Sequence, residues 1–145
     1  MPADQNKNKP GYWRSIFQHK CSRCRKGEMF KVKNSYDLKR FLKMNDKCPE
    51  CDQYMEIEPG FYYGTAYVSY ALAIALSVST FVAWSVLIGF SLNDNSVLKW
   101  IILNSVLLIG LQPYLMRFSR ALWLSFFVHY NTNWKTEKPE APERR

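Results

Sequence analysis

Residues 61–92 read FYYGTAYVSYALAIALSVSTFVAWSVLIGFSL, with no Asp, Glu, Lys or Arg among them. A run of about 18 apolar residues suffices for a helix to cross the hydrocarbon core of a bilayer, and this run exceeds it. A second uncharged run, WIILNSVLLIGLQPYLM, fills residues 100–116 and nearly reaches that length. The pair predicts a transmembrane helical hairpin. The rival arrangement, a buried hairpin inside a soluble protein, needs more covering chain than 145 residues supply.

Whole-chain averages conceal this pattern. A net charge of +8 and a mean hydropathy of −0.29 describe a small basic soluble protein, a nucleic-acid binder by charge alone. The length allows one or two domains and excludes a large multidomain enzyme. Divided along the chain, residues 1–60 hold 13 Lys+Arg against 8 Asp+Glu, residues 61–99 hold only Asp94 and Lys99, and residues 100–145 hold 6 against 3. Positive charge therefore flanks the hairpin and is almost absent from its turn. By the positive-inside rule both termini are cytoplasmic and Ser91–Lys99 is an external turn. The polar start, Met1–Lys9, lacks the apolar core of a signal peptide, so the first membrane helix is expected to act as its own targeting signal.

All four cysteines lie in two pairs, Cys21-Ser-Arg-Cys24 and Cys48-Pro-Glu-Cys51. Two residues between cysteines let one tight turn aim both sulfurs at one ion, and two such turns complete a tetrahedron around Zn²⁺. Cys21, Cys24, Cys48 and Cys51 are accordingly the expected metal ligands, with structural zinc as the expected metal and iron in a rubredoxin-like site as its rival. Arg23, Arg25, Lys26 and Lys47 crowd the pairs and would offset the negative charge of four thiolates. Gly27 is expected to supply an unusual backbone angle, and Pro49 to restrict the second turn. His19 is expected to be solvated rather than a ligand. A thioredoxin-like motif would need a βαβ unit around one pair, and a c-type haem site would need His where Arg25 and Asp52 stand. Structural disulfides do not suit a head placed in a reducing compartment.

A head of this size sits near the limit below which a hydrophobic core alone is marginal, so bound metal should substitute for part of the core. Met29–Val32 is expected as a short strand. Ser35 is expected to cap a helix with Leu38, Phe41 and Leu42 on one face and Lys39, Arg40 and Lys43 on the other, a basic face that is solvated or in contact with anionic lipid. Phe61, Tyr62, Tyr63, Tyr67 and Tyr70 suit an interfacial aromatic belt. The first helix, about Gly64 to Phe90, carries small-residue stripes at Ala71, Ala75, Ser79, Ala83 and at Ser69, Ala73, Ser77, which favour close helix packing, with Gly110 a candidate contact. Pro113 is expected to kink the second helix near its inner end. Beyond it, Leu115, Phe118, Leu122 and Phe126 suit an amphipathic interfacial helix whose Arg117 and Arg120 reach lipid phosphates.

The paired CxxC motifs, Met29-Phe30, the phrase Glu58-Pro-Gly-Phe-Tyr-Tyr-Gly64 and the segment Ser119-Arg-Ala-Leu-Trp123 together resemble an uncharacterised bacterial family of small two-helix inner-membrane proteins. The resemblance spans roughly Cys21 to Tyr130. It implies a bacterial inner-membrane location and a part in the assembly of membrane complexes such as respiratory oxidases, and it supplies no catalytic residues. The chain departs from the usual knuckle pattern at Asp52, where Gly is common.

The expected fold is thus a small zinc-ribbon-like α+β cytoplasmic head, an all-α transmembrane hairpin and an amphipathic C-terminal helix. Its parts are an N-terminal tail (1–11), the head (12–60), the hairpin (61–113), the interfacial helix (114–131) and a disordered tail (132–145). The expected function is a non-enzymatic accessory or adaptor protein in the multi-pass class, whose partners are the lipid bilayer and another membrane protein or complex. Two rivals remain: a redox or metal-handling protein serving respiratory-complex assembly, and a membrane-tethered nucleic-acid-binding ribbon. Aromatic residues are sparse between Lys31 and Lys47, which argues against nucleic acid. No P-loop, HExxH or G-x-S-x-G motif is present, and no small-molecule substrate is evident.

Overall fold

The computed structural model describes residues 10–139; most of the expected N-terminal tail and the last six residues of the C-terminal tail lie outside them. Three helices occur there: α1 (Tyr12–Phe17), α2 (Thr65–Leu87) and α3 (Ser96–Phe127). A 3-10 turn, Phe61–Gly64, leads directly into α2.

Helices α2 and α3 form an antiparallel hairpin, and both are long and apolar enough to cross a membrane. None of the most apolar window of the Phe61–Leu87 span is buried by the rest of the chain, and only 17% of the corresponding window of α3 is. These helices therefore do not form a soluble core. Apolar surroundings require each backbone polar group to be satisfied within the helix. The hydroxyls of α2 follow the same rule, since Ser77 donates to the Ala73 carbonyl (2.9 Å) and Ser79 to that of Ala75 (2.7 Å).

The helices meet along one of the two small-residue stripes. Ser69, Ala73 and Ser77 are half-buried, whereas Ala71, Ala75, Ser79 and Ala83 face outward. Asn104 of α3 ties the seam, donating to Ser77 Oγ (3.2 Å) and accepting from the Thr80 hydroxyl (3.0 Å). Near the turn, Trp84 Nε1 donates to Ser96 Oγ (2.9 Å) and Phe81 packs edge-on to Trp100. Gly110 is exposed, with open space where a side chain would begin, so the contact expected of it does not form.

Helix α3 differs most from expectation. It starts at Ser96 and runs without a break through the buried Pro113 to Phe127, so residues 114–127 extend the second helix rather than forming a separate one. The reason lies in what its inner half packs against. Phe118, Ala121, Leu124 and Val128 share one core with Ile16, Met29, Phe30, Met55 and the four cysteines of the head. The head borrows a helix to complete its core. Of the expected apolar stripe, Phe118 is buried and Leu122 half-buried, while Phe126 is exposed.

The head itself contains no strand among the described residues. Its ladder is reduced to three isolated antiparallel bridges, Lys20–Glu28, Phe30–Met44 and Lys47–Tyr54. The helix expected after Ser35 is absent too, and residues 35–43 form turns. The backbone there closes in i→i+3 turns, with Arg40 N–H on the Asp37 carbonyl (2.9 Å) and Lys43 N–H on the Arg40 carbonyl (3.0 Å), and side chains of α3 hold its two arms. Arg117, 1% exposed, donates from Nε to the Phe41 carbonyl (2.7 Å), from Nη1 to Lys33 (3.2 Å) and from Nη2 to Asn34 (2.9 Å). Arg120 donates to the Leu42 carbonyl (3.2 Å). The two arginines thus hold the head, where the sequence suggested that they reach lipid phosphates.

The segments behind the family resemblance meet at the joint. Trp123 Nε1 donates to the Phe61 carbonyl (2.9 Å), Arg120 lies over the Tyr62 ring (5.1 Å) and Tyr62 donates to the Met55 carbonyl. A β-carbon on Gly64 would collide with the Trp123 ring, which explains glycine there. Phe61 and Tyr62 therefore pack inward, while Tyr63, Tyr67 and Tyr70 point out, so only the latter three suit a belt. The segment after α3 also departs from the expected disorder as far as it is described. Asn131 N–H donates to the Arg23 carbonyl (3.2 Å), and Trp134 packs on the shared core.

Candidate metal centre

The two CxxC segments fold into matching turns. Cys21 N–H donates to the Gly27 carbonyl (2.9 Å) and the Cys21 carbonyl accepts from Arg25 N–H (2.8 Å). In the second turn Cys48 N–H donates to Gln53 (2.9 Å) and the Cys48 carbonyl accepts from Asp52 N–H (3.0 Å). The residue after each pair closes the turn in the left-handed region, with φ of 56° at Arg25 and 55° at Asp52. Asp enters that region more readily than most side chains, so the missing glycine at position 52 does not prevent the knuckle. The bridges Lys20–Glu28 and Lys47–Tyr54 clamp the bases of the two turns.

Each turn delivers its sulfurs to a common point. The Sγ atoms of Cys21, Cys24, Cys48 and Cys51 all lie within 4.8 Å of one another, and all four residues are buried. The contacts between turns are 3.8 Å for Cys21–Cys51 and 3.7 Å for Cys24–Cys48. A tetrahedral site with metal–sulfur bonds of about 2.3 Å has sulfur–sulfur edges of about 3.8 Å. A disulfide needs about 2.05 Å, and the cysteines are free. The four sulfurs fit one metal ion.

Backbone donors complete the setting. The N–H groups of Gly27, Glu50 and Gln53 bond the sulfurs of Cys24, Cys48 and Cys51, which favours their thiolate forms. The thiols also shift one another: contact with Cys21 lowers Cys24, while the same contact is the foremost cause that raises Cys21. Four thiols in one dry cluster cannot all ionise without a cation to offset the charge. Gly27 serves by size, because a β-carbon there would overlap the Cys48 sulfur. The unusual backbone angle expected at Gly27 falls instead on Arg25.

The surrounding cations have further partners. Arg23 is buried and donates to the Glu137 carbonyl (2.7 Å). Arg25 lies over the rings of Tyr130 (4.6 Å) and Tyr12 (5.5 Å), Lys26 over Trp134 (5.9 Å) and Lys47 over Tyr54 (4.6 Å). Arg23, Arg25 and Lys26 fasten the first knuckle to α1 and to the segment after α3, while the Lys47 contact stays within the second. Arg25 also lines a cleft of about 210 Å³ with Tyr12, Ser22 and His129. His19 is neither a ligand nor solvated. It is wedged between Phe30 and Tyr114, and burial first, then the charge of Arg117, lowers its pKa to about 4. Sequence reasoning missed Arg117 and Arg120 as parts of the head, because nothing in their spacing separates an arginine that reaches lipid from one that reaches a folded loop.

Residues 38–127 match the model of the family described as protein of unknown function (DUF983). The match covers well over half of the chain, and the chain belongs to that family. It takes in Cys48 and Cys51, both hairpin helices and the arginines of α3, while Cys21 and Cys24 precede it. No curated protein and no solved structure matches.

Proposed function

We propose that this DUF983 protein is a non-enzymatic accessory or adaptor protein of the bacterial inner membrane. In this reading α2 and α3 span the bilayer with both termini in the cytoplasm, and a zinc-ribbon-like head with a structural Zn²⁺ stands on the inner end of α3. One observation carries it: four buried sulfurs from two matched turns converge inside a core that the head shares with α3. Cys21, Cys24, Cys48 and Cys51 would hold the metal, which supplies folding free energy and no reaction step. A head fastened by its carbonyls to Arg117 and Arg120 offers a partner complex a fixed surface rather than a tethered one.

The test is metal analysis of the detergent-purified full chain beside its visible spectrum. One zinc per chain and a colourless protein support the reading, and replacement of any ligand by Ser should abolish the metal. Full metal retention in all four single variants would remove it. A coloured, iron-containing protein would favour the redox or metal-handling alternative, since the same tetrahedron of sulfurs suits iron.

A further inference from the structure

We infer that the loop Lys31–Lys43 of the head is a lipid-contact element that seats in the anionic headgroup layer of the inner leaflet. The inference rests on the reading that α2 and α3 span the membrane.

Depth comes first. Arg117 is 21 residues beyond Ser96 in an unbroken helix, a rise of about 32 Å at 1.5 Å per residue. The hydrocarbon core is about 30 Å thick, so Arg117 stands at its inner edge. There it holds both arms of the loop, through Lys33 and Asn34 on one side and Phe41 on the other. Three or four residues of chain carry the tip no more than about 10–14 Å from those arms. The tip therefore lies within or just beside the headgroup layer.

Chemistry comes second. At the tip Leu38 is 71% exposed and Tyr36 58%, whereas Ile16, Met29, Phe30 and Met55 of the head are buried in the core shared with α3. Lys39 and Arg40 lie in the tip and Lys31, Lys33 and Lys43 on the arms and base of the loop, all exposed, against the single acid Asp37 within residues 31–43. Asp37 pairs with Arg40 (3.3 Å) and Glu28 with Lys33 (3.5 Å), which leaves Lys31, Lys39 and Lys43 outside these pairs. An apolar tip on a loop rich in exposed cations matches an anionic bilayer surface, where the side chain enters the interface and the ammonium groups meet phosphates. The backbone bonds to Arg117 fix the loop before lipid arrives, so little conformational freedom is lost on contact.

The experiment uses the full chain in lipid nanodiscs, with an environment-sensitive fluorescent amino acid at position 38 and, separately, at Val78 in α2. Discs contain phosphatidylcholine alone or with phosphatidylglycerol, each with a quencher in either the headgroup region or the acyl chains. The expected result is headgroup quenching at position 38 at least about twofold stronger in the anionic discs, lost in K39E/K43E with its metal content intact and reduced by high salt. Equal quenching in both discs, or none above that of a probe at Asp52, overturns the inference and favours a protein partner for this loop. Absence of acyl-chain quenching at Val78 overturns the membrane reading itself, whatever position 38 reports.

Discussion

Replacing Arg117 tests the way the head is attached. The side chain is buried, and its guanidinium satisfies three backbone carbonyls while lying over the Phe30 ring at 4.6 Å. No ion pair to it forms among the described residues, so carbonyl dipoles and the ring hold the charge. Lysine keeps the charge but reaches one carbonyl of the three. Hydrogen bonds to a charged group are each worth about 1.5–3 kcal/mol, so Arg117→Lys should weaken the loop by about 3 kcal/mol, roughly a hundredfold in its opening equilibrium. Arg117→Met removes all three bonds and by the same count should cost about 4.5 kcal/mol. Hydrogen exchange of residues 33–43 in the detergent-purified protein reads the opening directly, and metal release to a chromogenic chelator reads its effect on the knuckles. Lost protection should stay centred on the loop in Arg117→Lys and spread into the head in Arg117→Met. Unchanged protection of residues 33–43 in Arg117→Met would refute the clamp and return Arg117 to the role of a lipid-facing arginine.

Gly27→Ala should lower metal affinity by at least tenfold in chelator competition, because the new methyl overlaps the Cys48 sulfur, whereas Gly110→Ala, which faces open space, should leave it unchanged. Gly64→Ala should destabilise the joint by about 1–3 kcal/mol in thermal unfolding, and most of that loss should vanish in a Trp123→Ala background, where the obstructing ring is gone. Asn104→Leu removes the bonds to Ser77 and Thr80 and should loosen the hairpin by about 0.6–1.7 kcal/mol in a denaturant titration, the range found for such bonds within membranes. Metal removal by a strong chelator should raise exchange in the head and in α3 beyond Pro113 while leaving Ser77–Leu87 protected, because only the inner half of α3 shares the head's core.

How far these features could be read in advance depends on whether the signal is local. The hairpin was legible because an uncharged run long enough to span a bilayer admits few other structures. The sulfur cluster was legible because CxxC turns encode their own geometry, and the left-handed angle at Asp52 shows that turn forming even without glycine. The helix at residues 35–43 was misread for the opposite reason. Its spacing of Leu38, Phe41 and Leu42 is a fair helical pattern, yet the segment folds as turns whose far arm is held by Arg117 and Arg120, 76 and 78 residues away. The boundary drawn between a hairpin ending at Pro113 and a separate helix from residue 114 misled similarly. A proline removes one donor from the ladder and does not end a helix whose far half has a core to join.

That shared core changes what the metal stabilises. A head that ended at residue 60 would fold or unfold on its own, with zinc acting within it. Because Phe118, Ala121, Leu124 and Val128 pack with the cysteines and with Met29 and Met55, a metal bound there would also order the C-terminal half of α3. The same linkage runs in reverse, since any interaction that fixes α3 pre-orders the pocket and raises metal affinity by an equal free energy. The joint is the second point of attachment. Gly64 lets the Trp123 ring lie against the start of α2, so the chain entering the hairpin is packed against the end of the helix leaving it. Head, joint and helix end therefore behave as one cooperative unit, and a partner that grips any of them acts on the other two.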